Sequence, residues 1–297
     1  MDIATTRSRE PKTARTSPTT SPGSPGDPAN LVRAGVLRYV QNAYERRPWR
    51  NPDAQVRHLL DAATRRAADR DVARHGIGRF RKKGFYNYLL LRTLCYDDVF
   101  KRSVSDDIRQ VVIIGAGTDT RAYRFENVLR QKRVRVIECD VPTAIRTKQR
   151  GARILGARNV RYASLDIHST RPSTWAASSG YSRSIKTLFL IEGVTPYVRE
   201  RSFRRWLGFL ARTACEGSLF ACDYKIEGTD DDFGKIRDRR TMRMNRRPDR
   251  VRAFHNAVGL DVIAILRSRE LKQRYLRSPI ERRPVFDDDL IVIAVKP

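Results

Sequence analysis

The residues in this sequence that could do chemistry are a pair of glycines and a set of carboxylates, each placed where an apolar run stops. The run at residues 111–114 ends in Gly115-Ala116-Gly117, and Thr118-Asp119-Thr120 then opens an expected helix. A short strand breaking into Gly-x-Gly and a helix start is the nucleotide-binding corner of a doubly wound α/β sheet. Its glycines let the backbone approach a ligand closely, and the helix start supplies free N–H groups and a partial positive charge. An ordinary strand-to-helix turn would use the same glycines for their backbone angles alone.

Asp140 ends the next apolar run, 23 residues beyond Gly117. An acid about 20 positions after the glycines can accept both hydroxyls of a nucleoside ribose. Glu138 shares its face in an extended strand; Asp140 is favoured for the ribose, and Glu138 is expected to pack or to pair with an arginine. Asp166 ends a third run and is followed by Ile167. It could accept an adenine amino group while Ile167 covers the ring, or simply close an Asx turn. Glu192 follows the apolar residues 188–191 and precedes Gly193. A carboxylate there is costly to bury without a partner, such as the ammonium of a methionine moiety or an arginine from the N-terminal helices. The third position of the dinucleotide pattern G-x-G-x-x-G is Thr120, which counts against NAD and its pyrophosphate. S-adenosyl-L-methionine has no phosphates, so the loop favours a methyl donor.

The elements that must position these residues follow from periodicity. Residues 1–28 are Ser, Thr, Pro and charge with almost no apolar content, and a disordered tail is expected. Residues 29–105 read as a helical cap: Leu31, Val32, Val36, Leu37, Val40 and Tyr44 recur at helical spacing, and Arg47-Pro48 ends that helix. Asp53 reads as the N-cap of a second helix with Val56, Leu59, Leu60 and Ala63 on its inner face. A third helix runs through Phe85, Tyr88, Leu89, Leu91 and Leu94. From 106 to 297 strands and helices alternate, with strands at 111–114, 134–139, 160–165, 187–191 and 218–222 and helices reaching about 130 and 155 and spanning 200–213. Repeated βα units make a parallel sheet covered on both faces, with all strand ends along one edge. Residues 224–250 read as a polar insertion. A helix to about 258, a strand at 260–266, another helix and a final strand at 290–295, expected antiparallel, complete the chain.

Composition limits the alternatives. The chain has 297 residues, 40% of them apolar, but no uncharged run approaches the ~20 residues of a membrane span. Cys95, Cys139, Cys215 and Cys222 show no metal-ligand spacing; Cys139, Cys215 and Cys222 fall in or next to expected core segments and read as small buried thiols of a reducing compartment, the cytoplasm. The four histidines lie far apart, so no metal is expected. The net charge of +27 raises a polyanionic partner. The basic residues are spread over the whole length without an RNA-binding or zinc-finger pattern, so nucleic acid is possible but not favoured.

Taken together, VVIIGAGTDTRAYRF, VIECDVP, SLDI and LFLIEGVTPYV resemble the leucine carboxyl methyltransferase family, a branch of the class I S-adenosylmethionine-dependent methyltransferases. AYERRPWRNPDAQVRHLL and LLLRTLCYDDV are similar to its N-terminal helical segment and its arginine-bearing helix, so the resemblance covers roughly residues 31–297. It implies an α/β, Rossmann-like fold with a seven-stranded, mostly parallel sheet and an N-terminal helical cap. It implies Arg92 at the donor's carboxylate, Gly115, Ala116 and Gly117 at the methionine end, and Asp140 at the ribose. It also implies Asp166 and Ile167 at the adenine, Glu192 near the methionine end, and Tyr197 positioning the methyl acceptor. The chain departs from the family at Asn51, where Asp is common, at Pro196 before the tyrosine, and in its basic excess.

The expected function is S-adenosylmethionine-dependent O-methyl transfer to a carboxylate of a small molecule or of a protein C-terminus. Such an acceptor is already ionised at neutral pH and needs no base; Arg92, Arg121 and Tyr197 would orient donor or acceptor, arginine matching a carboxylate bidentately. A phenol or alcohol would need a base, and none stands out in the sequence. The rivals are a nucleic-acid methyltransferase, a non-catalytic S-adenosylmethionine-binding protein and, least favoured, a dehydrogenase.

Overall fold

A computed structural model describes residues 28–156, 159–229, 241–276 and 283–297; the tail expected at 1–28 lies outside them except for Pro28, which opens the first helix, and so does the middle of the polar insertion. Five helices come first: α1 (Pro28–Tyr44), α2 (Val56–Leu59), α3 (Ala62–His75), α4 (Gly78–Arg81) and α5 (Gly84–Ser105). The second expected helix is in fact two. Asp53 does accept from the Val56 N–H at 3.1 Å, but α2 stops within a turn. Asp61 then caps the longer α3, accepting from the Thr64 N–H at 2.7 Å, and Ala63 is exposed.

The remainder alternates β1 (Gln110–Ile114), α6 (Arg121–Arg124), α7 (Glu126–Gln131), β2 (Arg135–Asp140), α8 (Pro142–Ala152), β3 (Val160–Ser164), α9 (Pro172–Ser179) and β4 (Thr187–Ile191). It continues with α10 (Glu200–Thr213), β5 (Leu219–Ile226), β6 (Arg243–Met244), α11 (Pro248–Asn256), β7 (Asp261–Leu266), α12 (Ser268–Tyr275) and β8 (Asp289–Val295). Seven strands form one sheet in the order β3-β2-β1-β4-β5-β8-β7, with the two-residue β6 beside the end of β5. β8 runs antiparallel to both its neighbours, and the other pairs are parallel. The fold is therefore α/β and Rossmann-like, as the sequence implies.

Two expectations about helices need correction. The stretch after β1 is not one helix but α6 and α7, broken at Phe125, and α6 spans only four residues. So short a helix sums too few peptide dipoles to matter at a ligand. The polar insertion also begins later than expected, because Tyr224, Lys225 and Ile226 continue β5.

Burial explains why the sheet forms. β1 and β4 are buried at every position and, after Gln110 and Thr187, apolar on both faces, as central parallel strands usually are. α10 turns Phe203, Trp206, Leu207, Leu210 and Ala211 onto one side, where they join Phe189, Phe220 and Tyr224. Burying each large side chain contributes about 1.5–3 kcal/mol. α5 covers the other side with Tyr88, Leu91, Cys95, Tyr96 and Phe100 against Val111, Ile113, Leu188 and Leu190. The last cap helix is thus part of the sheet's own core. α1, α3 and α4 add a smaller cluster around Val40, Val72, Phe80 and Tyr86.

Candidate active site

The chain passes from β1 through β2 to β3 on one side, then crosses to β4 on the other. A crevice at the strand ends beside such a reversal is where open α/β sheets take ligands. The carboxyl ends of β1, β2, β3, β4 and β5 and the start of β8 do converge on one cleft there. Arg33 and Arg38 of α1 and Phe85 and Arg92 of α5 form its cover, and its volume is about 1460 Å³ with the open mouth included.

The glycine loop is held by β2. The Gly115 and Ala116 N–H groups donate to the Cys139 carbonyl at 2.8 and 2.9 Å, and the Gly117 N–H donates to Asp140 Oδ2 at 2.8 Å. Asp140 Oδ1 accepts from the Val141 N–H at 2.7 Å. Gly115 has φ +73°, and a Cβ there would stand 2.3 Å from Val194 Cγ2, so both backbone angle and close approach require glycine. Burial raises the Asp140 carboxyl above its ordinary value, with the two N–H bonds opposing. Glu138 is fully buried behind it and meets a lysine, not an arginine: Lys148 Nζ lies 2.8 Å from Oε1, and the Tyr123 hydroxyl donates to Oε2 at 2.8 Å. Lys148 also donates to the Ala116 carbonyl at 3.0 Å, tying the loop to α8.

After β3, Asp166 makes the Asx turn: Oδ1 accepts from the His168 N–H at 2.9 Å and Oδ2 from Ser169 Oγ at 2.8 Å. The turn still puts Asp166, Ile167 and His168 on the cleft wall. α10 anchors it, since Trp206 Nε1 and Arg205 Nη2 donate to the Ile167 carbonyl at 3.1 and 2.8 Å. Both ring nitrogens of His168 are buried without a hydrogen-bond partner among the described residues.

Beyond β4 the arrangement is ionic. Arg92 Nε donates to Glu192 Oε1 and Nη1 to Asp223 Oδ2, both at 3.0 Å. Arg121 Nη1 reaches Glu192 Oε2 at 2.7 Å. Burial would raise the Glu192 carboxyl, but Arg121 and Arg92 outweigh it and its pKa is lowered. Asp223 Oδ1 accepts from the Gly193 N–H at 2.7 Å. Burial pushes Asp223 up to about 6, Arg92 opposing and Glu192 adding. Asp289 is pushed up to about 7 by burial and by Asp223, against Arg92 and Lys225. Tyr197 lies on the cleft wall in the 3₁₀ turn Thr195–Tyr197, and burial raises its hydroxyl pKa.

Arg121 stands apart from the other expected site residues. It is wholly buried beneath the cleft wall, with Nε on Asp97 at 2.9 Å and Nη1 on Asp119 at 2.5 Å as well as on Glu192. Three carboxylates occupy it, so it positions Glu192 rather than touching a ligand. The remaining expected residues, Arg92, Gly115, Ala116, Gly117, Asp140, Asp166, Ile167, Glu192 and Tyr197, all line the one cleft.

Sequence reasoning missed Arg38, His168, Asp223 and Asp289. Arg38 donates to the Thr118 carbonyl at 2.7 Å and pairs with Asp53 at 3.1 Å, while Thr120 Oγ1 donates to Asp53 at 2.5 Å; together they clamp the cap on the glycine loop. Asp223 carried the signal already used for Asp140 and Glu192, an acid closing an apolar run. Asp289 follows Asp287 and Asp288, and the strand expected at 290–295 begins one residue after it.

Strand order, glycine corner and acids at successive strand ends define the Rossmann-like methyltransferase class. The model of the family described as leucine carboxyl methyltransferase matches residues 33–211, more than half of the chain, and the chain belongs to that family. A relative named an S-adenosyl-L-methionine-dependent methyltransferase in Mycolicibacterium vanbaalenii is 29% identical over 183 residues, 60% of this chain and 57% of that one. Another of that name in Mycobacterium avium is 28% identical over 210 residues, 67% of this chain and 65% of that one. The chain therefore spans less than two thirds of the length of these two curated relatives. A methyltransferase structure from Thermobifida fusca superposes with a TM-score of 0.56 at 13% identity, covering 92% of this chain and 96% of that one, and shares the fold. Among the described residues no helix is long and apolar enough to cross a membrane.

Proposed function

We propose that this chain is an S-adenosyl-L-methionine-dependent O-methyltransferase whose acceptor enters beside Tyr197. The observation that carries this reading is the single cleft on which the glycine loop, Asp140, Asp166 and Glu192 meet at the strand-order reversal. The residues fit the donor. Each Asp140 oxygen uses one lone-pair site on a backbone N–H and keeps another for a ribose hydroxyl. The orphaned nitrogens of His168 would find partners on an adenine beside Asp166 and Ile167. Gly115, Ala116 and Gly117 would flank the methionine end, with Arg92 at its carboxylate and Glu192 near its ammonium.

When bound, the donor supplies a methyl group on a cationic sulfur, which leaves as a neutral thioether. The chain's part is to align, and to exclude water. Alignment of reacting groups is worth about 7–11 kcal/mol. Residues 29–105, acting as a cap over the core 106–297 in one structural unit, provide the exclusion. Tyr197 and Phe85 would orient the acceptor. A carboxylate acceptor, on a small molecule or a protein C-terminus, has support from Arg33, Arg38 and Lys225 on the wall. Buried thiols at Cys95, Cys139 and Cys222 fit a reducing compartment, and we assign the protein to the cytoplasm.

Calorimetry with S-adenosylhomocysteine tests the donor site. Saturable heat with a rise in melting temperature supports it. Neither heat nor thermal shift would show a fold retained without its donor, the non-catalytic alternative.

A further inference from the structure

One buried charge reaches the glycine loop without lining the cleft. Lys148 stands on the inward face of α8, at helical spacing from Ile145 and Ala152, which are apolar and buried as it is. It is 3% exposed. A buried ammonium is costly unless it is both paired and hydrogen-bonded. Lys148 is both: Nζ lies 2.8 Å from Glu138 Oε1 and donates to the Ala116 carbonyl at 3.0 Å. Glu138 Oε2 accepts from the Tyr123 hydroxyl at 2.8 Å, and that hydroxyl meets the Tyr162 hydroxyl at 2.8 Å. A chain of polar groups thus starts on β3 and ends on the glycine loop.

The bond to Ala116 matters because of the peptide it grips. The Ala116 carbonyl and the Gly117 N–H belong to one planar unit, so fixing one end aims the other. The N–H end meets Asp140 Oδ2 at 2.8 Å. That plane turns about the backbone angles of Ala116 and Gly117, and Gly117, at φ +36°, resists rotation little. Its orientation therefore falls to its hydrogen bonds. The Asp119 N–H also donates to the Ala116 carbonyl, at 2.8 Å, but from within the same turn. Lys148 grips it from outside the loop.

Resting on the S-adenosylmethionine reading of the cleft, we propose that Lys148 is a positioning residue for the donor. It fixes the peptide between Ala116 and Gly117 so that the Gly117 N–H holds the Asp140 carboxylate where a ribose would meet it. Lys148 touches no ligand and acts through the loop. Glu138 is the counter-charge that lets the lysine do this while buried; burial raises the Glu138 carboxyl, and Lys148 opposes the rise. The same ammonium favours the ionised forms of Asp140 and Asp119, and an ionised carboxylate is an acceptor at both oxygens. A lysine–glutamate pair that only filled space beneath the loop would have no such reach. Exchanging both members for neutral groups would then leave donor affinity as it was.

Calorimetry with S-adenosylhomocysteine, paired with urea unfolding of the whole chain, separates the two roles. Lys148→Met alone strands Glu138 and should lower both stability and affinity. The double variant Glu138→Gln, Lys148→Met removes both charges, a change that buried pairs often tolerate. It should recover the unfolding midpoint yet bind the ligand about 10-fold or more weakly than the native chain. Native affinity in the folded double variant would overturn the proposal and leave the donor reading standing. No binding by the native chain would sink both. Should the double variant not fold, hydrogen exchange on the ligand-free native chain decides. The Gly117 amide should be protected, and exchange at the rate of an open loop would show that nothing pins it.

Discussion

The two ends of the cleft handle buried charge in different ways. Under β1, β2 and β3 each acid is answered locally, by dipoles or by a single cation. Asp140 takes two backbone N–H groups, Asp166 a backbone N–H and a serine, and Glu138 a lysine and a tyrosine. Under β4, β5 and β8 charges answer charges over long sequence separations. Arg92 serves both Glu192 and Asp223, Arg121 serves three acids, and one oxygen of Asp289 has no hydrogen-bond partner among the described residues. A site satisfied by fixed backbone dipoles is preorganised and tolerates a ligand without rearranging. An ionic lattice with an open position is costly to bury and sensitive to protonation. The contrast fits a binding end and a reacting end.

The strongest way to break this contrast is to remove its ionic keystone. Arg121→Ala leaves Asp97, Asp119 and Glu192 buried without their shared guanidinium. Asp97 keeps Arg124 at 2.6 Å and Glu192 keeps Arg92 at 3.0 Å, so Asp119 is the acid that loses its ion pair. Stranding one buried charge typically costs about 3–5 kcal/mol, which urea unfolding would register as a fall in midpoint. Arg121→Lys should recover part of it by keeping the charge while losing the fork. A variant as stable as the native chain would show that the lattice is not what holds Glu192.

Asp140→Ala probes the other end. Hydrogen bonds to a charged group are worth about 1.5–3 kcal/mol, so S-adenosylhomocysteine affinity should drop about 10- to 100-fold by calorimetry. Unchanged affinity would refute the ribose role.

A third change sharpens the electrostatic half. Asp289 has a pKa raised to about 7, so between the unfolded value near 3.9 and that point the folded state holds more protons than the unfolded one. Its contribution to stability is therefore full at low pH and lost as pH rises toward 7. Asp223→Asn removes a like charge from beside Asp289 and should lower its pKa, narrowing the pH window over which melting temperature falls. A window of unchanged width would mean that burial alone sets the value.

The same division separates what the chain shows in one dimension from what it hides. The end proposed for the donor is spelled by local patterns: Gly115 and Gly117 next to an apolar run, Asp140 at a fixed distance, Asp166 and Glu192 closing their strands. Central parallel strands are continuous apolar runs, so 187–191 could be read directly and the others to within a residue or two. The region after Cys222 could not. Asp223 and Lys225 alternate with Tyr224 and Ile226 as a half-buried strand does, but buried charges look like a polar loop until α5 and β8 bring their partners. Arg121 misled for the same reason. An arginine beside a ligand loop looks like a ligand group, and only the packing of Asp97 and Asp119 around it reveals a buried post.

The smallest expected effect belongs to Tyr197, at the seam between the two ends. The residue lies on the cleft wall and its backbone is set by a 3₁₀ turn whose Thr195 hydroxyl donates to the Asp223 carbonyl at 2.8 Å. That bond ties the tyrosine to β5, on the side proposed for the acceptor, more than to the glycine loop. Tyr197→Phe keeps the ring and its packing and deletes one hydrogen bond, worth about 0.5–1.5 kcal/mol. Turnover on the true acceptor should therefore fall only a few-fold, roughly 2- to 12-fold by that energy. Affinity for S-adenosylhomocysteine should stay as it was. If calorimetry instead finds the donor weakened and turnover at saturating donor unchanged, the tyrosine belongs to the binding end, and the seam lies beyond it toward Asp223.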